Sequence, residues 1–253
     1  MATHFFGDTT VLTGRTLRHI TRSPDTIVTV SIMPIALMLL FVYVFGGAIH
    51  PGPGRYVDYL LPGILLITIA MGISYTAFRL FTDLTSGIFE RFQSMPIARS
   101  SVLWAHVLTS AVSSSISLVI VVLVAVGLGF RSSAGVLAWL AVAGVLVLFT
   151  LTVTWIAVIA GLSARTVDGV GAFSYPIIFL PFISSAFVPT ATMPGPVRAF
   201  ADYQPVTSIV DTIRDLFTQQ PVSTGIWTAL AWCLGILIVA YAFAMAAYRR
   251  KIA

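Results

Sequence analysis

Side chains able to move a proton, attack a substrate or hold a metal are scarce in this chain. Its histidines are His4, His19, His50 and His106, and its only lysine is Lys251. Hydrolysis would call for a nucleophile beside a base, or two histidines one helical turn apart around a glutamate. Neither a G-x-S-x-G nor an H-E-x-x-H spacing occurs. No two histidines share a helical face, and His106 falls near the start of an apolar run, where an interfacial place is expected. The lone Cys233 excludes an intrachain disulfide and a cysteine metal site. A G-x-x-x-x-G-K-[ST] phosphate loop is missing as well. The chain is therefore expected to be no enzyme, with no cofactor or metal of its own. If ATP is used, another chain must bind it.

What the sequence offers instead is apolar surface. Of 253 residues, 58% are hydrophobic and 9% charged, with a mean hydropathy of +0.98. Soluble domains average about 45–50% apolar and about 25% charged, so lipid is the natural solvent for this one. Six apolar stretches are each long enough to span a bilayer. They run from about Ile27 to Ile49, Tyr56 to Phe78, Ser101 to Phe130, Gly135 to Leu162, Val167 to Val188 and Gly225 to Tyr248. The first is far longer than the apolar core of a signal peptide and stays as a span. No internal repeat divides the chain, and residues 1–253 read as a single transmembrane domain.

The net charge of +5 is a topology signal rather than a nucleic-acid one. Arg15, Arg18, Arg22, Arg79, Arg91, Arg99, Arg165, Arg249, Arg250 and Lys251 fall on one side of the spans, with Asp8, Asp25, Asp83, Glu90 and Asp168. Arg55, Arg131, Arg198 and Arg214 fall on the other, balanced by Asp58, Asp202, Asp211 and Asp215. The whole excess thus lies on one face, which the positive-inside rule makes cytoplasmic. An even number of spans then places both termini inside. Every charged residue sits at or beyond the end of a span on this reading. Ion-coupled transport, which favours an ionisable group near the midplane, is correspondingly disfavoured.

Three segments are not ordinary spans. Residues 8–23 carry Arg15, Arg18 and Arg22 within an arc of about 60° on a helical wheel, opposite Leu12, Leu17 and Ile20. That pattern is a short amphipathic helix lying on the inner surface. Residues 83–99, between the second and third spans, space Ile88, Phe89, Phe92 and Met95 as one apolar stripe, with Glu90 and Arg91 turned elsewhere and Pro96 ending the helix. Such a ridge suits insertion into a groove on another protein, or packing beneath the chain's own spans. Residues 188–220, on the outer side, hold Pro189, Pro194, Gly195, Pro196 and Pro205. They also hold an amphipathic set, Ile209, Val210, Ile213, Leu216 and Phe217, with Asp211, Arg214 and Asp215 on its polar side. One or two short helices dipping into the outer leaflet are expected there, not a seventh span.

Within the spans, Thr109, Ser110, Ser113, Ser114, Ser115 and Ser117 supply small hydroxyl residues suited to close helix packing. Phe173, Ser174, Tyr175, Phe179, Phe182, Ser184, Ser185 and Phe187 cluster around Pro176 and Pro181. Two prolines five apart should bend that helix. Ser113, Ser117, Phe173, Tyr175, Phe179 and Phe182 are candidates for the wall of a path for an amphipathic molecule, with helix packing as the plainer role.

Two ordered motifs carry a resemblance. The inner one is Gly87-Ile88-Phe89-Glu90-Arg91-Phe92-Gln93-Ser94-Met95-Pro96-Ile97-Ala98-Arg99. The outer one is Phe187-Val188-Pro189, Met193-Pro194, Gln204-Pro205-Val206 and Asp211-Thr212-Ile213-Arg214. Together with six spans they resemble, over nearly the whole chain, the membrane permease subunits of ABC exporters of the daunorubicin/doxorubicin drug-resistance type. Gln204 stands where that family usually has Asn. The resemblance implies an all-α membrane fold of six helices, in the plasma membrane of a bacterium. It also implies two permease subunits, identical or sister chains, each seated on a nucleotide-binding ATPase subunit that holds ATP and Mg. Gly87 to Met95 would be the coupling helix, Arg15 to Arg22 part of a connecting helix, and the segment with Pro189, Pro194, Pro205, Asp211 and Arg214 the outer closure. A drug, lipid or glycolipid would be exported by alternating access. The alternative is a stand-alone secondary transporter or channel for a small amphipathic solute.

Overall fold

Pro24, whose missing N–H is no loss in a first helical turn, opens helix α1 (Pro24–Leu40). It continues into a π-helical turn at Phe41–Phe45. The computed structural model describes residues 7, 13–14, 24–49, 54–86, 99–220 and 225–252. Among them every regular element is helical: α2 (Tyr56–Thr85), α3 (Arg99–Gly127), α4 (Val136–Ser163), α5 (Val167–Phe179), α6 (Gly195–Tyr203), α7 (Pro205–Thr218) and α8 (Gly225–Ile252). Four segments are long and apolar enough to cross a membrane: Tyr56–Thr85, Ser101–Gly127, Val136–Ser163 and Gly225–Lys251. Val30–Phe45 and Val167–Ile183 are apolar but shorter.

Helix α2 is the axis of the fold. Its most apolar stretch is 78% buried, against 22–39% for the other three long helices, so its all-round hydrophobicity is satisfied by protein rather than lipid. Helices α1, α3, α4, α5 and α7 all pack on it, and α8 packs on α4 and α7. Two glycines on the long helices allow close approach of other segments. A Cβ on Gly63 would stand 2.6 Å from the Cβ of Ala186, and one on Gly161 would stand 2.8 Å from the carbonyl of Ala77. The larger core gathers residues of α2, α4 and α7, including Leu60, Ile64, Val145, Phe149, Ile209 and Ile213. A second cluster joins Leu80, Leu103, Trp155, Leu162 and Tyr248 near the opposite ends of α2, α3, α4 and α8. Trp155 is its centre, 5.3 Å from the Trp104 ring and 4.8 Å from that of Tyr241. At the same end Lys251 Nζ donates to the Leu162 carbonyl at 2.9 Å, a cation meeting the last turn of α4.

Two expected span limits differ. The second apolar run was expected to stop at Phe78, but the helix continues to Thr85 and carries Arg79 and Asp83 as helical residues. Side-chain contacts of Leu80 and of Asp83 hold these extra turns, about two, against α3. The fifth run was expected to reach Val188, but α5 gives way to a 3-10 turn at Leu180–Ile183. The reason is local. Pro176 and Pro181 withhold backbone donors, and Ser184 turns extended, its hydroxyl donating to the Pro181 carbonyl at 2.6 Å and accepting the Ala186 N–H at 3.1 Å.

Candidate functional site

The outer segment folds as two helices, α6 and α7, and its polar residues make one bracket. Pro205 starts α7, and Val206, Ile209, Val210, Ile213, Leu216 and Phe217 are buried along its inner face. That leaves Asp211, Arg214 and Asp215 on the flank. Arg214 Nη1 donates to Asp211 Oδ1 at 2.6 Å, and Nη2 donates to the Ser185 carbonyl at 2.9 Å and the Tyr59 carbonyl at 3.3 Å. Its guanidinium carbon lies 3.8 Å from the centre of the Tyr59 ring. The Tyr59 hydroxyl in turn donates to the Ser185 carbonyl at 2.8 Å, and the Ser185 hydroxyl to Asp211 Oδ1 at 2.7 Å. One guanidinium therefore joins α7, α2 and the turn after α5, using the planar fork that lysine lacks. Burial lifts Asp215 above the ordinary carboxylate value, and the Asp211 carboxylate adds to this against the opposing pull of Arg214.

Gln204, at the junction of α6 and α7, closes the bracket from the other side. Its amide nitrogen donates to the carbonyls of Leu180 and Ile183, which the 3-10 turn leaves without helical partners. Pro189 and Pro194 flank the short turn Thr190–Thr192 that leads into α6. Beneath them Phe182 stacks on Phe187 at 4.9 Å, and Phe187 meets Phe41 at 4.7 Å.

The candidate path residues separate into two groups. Phe173, Tyr175 and Phe179 are 53%, 61% and 59% exposed, pointing away from the rest of the chain, while Val170 and Ser174 are the buried residues of α5. Beside them an open groove of about 300 Å³ lies between α2 and α5, lined by Ser74, Tyr75, Phe78, Val167, Val170 and Gly171. Phe182 is half-buried against the aromatic stack. Ser117 is fully buried on α3, and Ser113 lines a separate cleft between α1, α2 and α3. The structure does not bring all six to one surface.

The coupling residues Gly87, Ile88, Phe89, Glu90, Arg91, Phe92 and Met95 lie outside the described residues, as do Arg15, Arg18 and Arg22 of the surface helix. The helices bracketing the coupling segment are described, and they are tied together. His106 is buried against α2, with Nε2 3.2 Å from Asp83 Oδ2. Tyr59, Tyr56, Asp83 and His106 were not singled out as site residues from the sequence. Their partners lie far along the chain: Tyr59 meets Ser185 across 126 positions, and Tyr56 donates to the Phe187 carbonyl across 131. Their residue types alone carry no such signal.

Comparison with known proteins agrees over the same extent. Residues 8–218 match the family model described as ABC-2 type transporter. The chain is 30% identical over 247 residues to a daunorubicin resistance ABC transporter permease protein of Streptomyces coeruleorubidus, covering 93% of this chain and 86% of that one. It is 26% identical over 252 residues to a probable doxorubicin resistance ABC transporter permease protein of Mycobacterium tuberculosis, covering 97% and 90%. This is a multi-pass membrane protein built of apolar helices around α2, and it belongs to the ABC-2 type transporter family of permeases.

Proposed function

We propose that the chain is the permease subunit of an ABC exporter, moving a hydrophobic or amphipathic substrate outward by alternating access. The observation that carries this reading is the uncovered side of α5 within a family match that runs from residue 8 through α7. Aromatic side chains and a groove on that side need a second wall, and a second permease subunit, identical or a sister chain, supplies it. The two shorter apolar helices complete six spans with both termini cytoplasmic. The segment 87–95 then leaves the membrane between α2 and α3 and docks on a nucleotide-binding subunit, which holds ATP and Mg. Its stems are joined by the His106–Asp83 pair, so a push on the segment reaches α2, the axis of the fold. The outer bracket closes the exit until α2 moves. Drug-type, lipid and glycolipid substrates all suit an aromatic wall carrying few hydroxyls. The domain reading is a single permease unit, 1–253, with 8–23 as the interfacial helix, 83–99 as the coupling loop and 188–220 as the outer closure.

The test is reconstitution of the chain with its ATPase partner in proteoliposomes. ATP hydrolysis stimulated by an aromatic amphiphile such as an anthracycline, and ATP-dependent loss of that amphiphile from the cytoplasmic-equivalent side, are expected. Transport by the permease alone down an ion gradient would overturn the reading in favour of a secondary transporter.

A further inference from the structure

We infer that the cleft between α1, α2 and α3 is a binding site for a phosphate group, most naturally the headgroup of an anionic phospholipid. The cleft is lined by Arg79 and Thr76 of α2 and by His106, Thr109, Ser113 and Ser114 of α3, among others, and has a volume of about 30 Å³. That is room for a pair of waters or one tetrahedral oxyanion.

Two of its walls carry donors without a hydrogen bond among the described residues. The Arg79 guanidinium lines the cleft without a hydrogen bond or ion pair among the described residues. The nearest acid on its own helix, Asp83, acts on the guanidinium only from beyond ion-pair distance and is engaged by His106 at 3.2 Å. Thr109 is only 2% exposed, and its hydroxyl is buried in the same wall without a hydrogen-bond partner. A buried hydroxyl left unpaired is costly, and a guanidinium offers five donors that seek a planar or tetrahedral oxyanion. By contrast, Thr76 and Ser110 already bond one another at 2.6 Å, so the unmet donors concentrate at Arg79 and Thr109. A phosphate oxygen between them accepts from both. Arg79 also follows the most apolar part of α2, so the topology proposed above sets it at the depth of lipid headgroups. The inner orientation proposed above makes that the leaflet where anionic lipid and basic side chains meet.

The test uses the purified full-length chain in a neutral detergent, titrated separately with dioctanoyl phosphatidylglycerol, dioctanoylglycerol and inorganic phosphate. Saturable binding of the phosphate-bearing lipid is expected, with no binding of the diacylglycerol. Arg79→Ala should weaken it about tenfold, the loss of one charge-assisted fork. Thr109→Val should weaken it about threefold, the loss of a neutral hydrogen bond, and Arg165→Ala should leave it unchanged. Arg79→Lys keeps the charge without the fork, so an intermediate loss in that variant carries the test if Arg79→Ala does not fold. Inorganic phosphate binding on its own, lost in the Arg79 variants, makes free phosphate the ligand. Binding of the lipid alone makes it the headgroup. Equal affinity of parent and all three cleft variants, or equal binding of dioctanoylglycerol, overturns the inference.

Discussion

Arg214 is one planar cation that satisfies groups from three elements. Truncation by Arg214→Ala removes one of the two donors to the Ser185 carbonyl and the side-chain donor to that of Tyr59, and leaves Asp211 without its cation. A loss of about 2 kcal/mol is expected, seen as a lower melting temperature in detergent. Arg214→Lys should recover less than half of it, since an ammonium cannot reach Asp211 and two carbonyls from one plane. Asp215 supplies a pH test with a definite sign. Its folded-state pKa lies above the unfolded one, so the fold favours the protonated form. That contribution is present below the unfolded value, near 3.9 for a free aspartate (roughly), and is lost as pH rises through the raised value. Asp215→Asn should therefore melt higher than the parent at neutral pH, and the gain should disappear in acid. A constant difference across the titration would mean that the carboxylate's ionisation is not the cause.

At the scale of elements, glycines separate packing from propensity. Gly63 faces Ala186 so closely that a methyl group must push α2 from the turn after α5, and Gly63→Ala should cost about 1–3 kcal/mol. Gly144, inside α4, has nothing within 4 Å of where a Cβ would stand, and Gly144→Ala should instead stabilise by roughly 0.5–1 kcal/mol. Thermal melts of the two variants side by side check both signs. The coupling segment makes a different kind of prediction. Phe92→Ala or Glu90→Ala should weaken pull-down of the ATPase, or leave hydrolysis running without transport. Unchanged assembly and unchanged transport in both would remove that assignment. The stripe is legible in the sequence because an apolar pattern with period 3.6 is local. The reverse holds for α5, where prolines announced a bend but not that the helix would end at Phe179.

For the whole molecule, the lone Cys233 makes topology accessible. It is buried, so in a Cys233→Ala background single cysteines can report sidedness. Ala253→Cys should react with an impermeant maleimide only in inverted vesicles, and Ser133→Cys only from outside. Labelling of both from the same side would contradict the six-span arrangement. What the sequence determined alone was the solvent, the all-helical class, the family and the asymmetric charge, because composition, apolar run length and short motifs are properties of neighbours along the chain. The amphipathic set on α7 was legible in the same way, and all five of its apolar members are buried. Tertiary structure alone decided that α2 is the axis, that His106 pairs with Asp83 and that Arg214 reaches Tyr59 across 155 positions. In lipid every long helix is apolar all round. Hydrophobicity therefore cannot say which one is wrapped by protein, and only the close approach of backbones and the directed bonds of a few polar side chains make that choice.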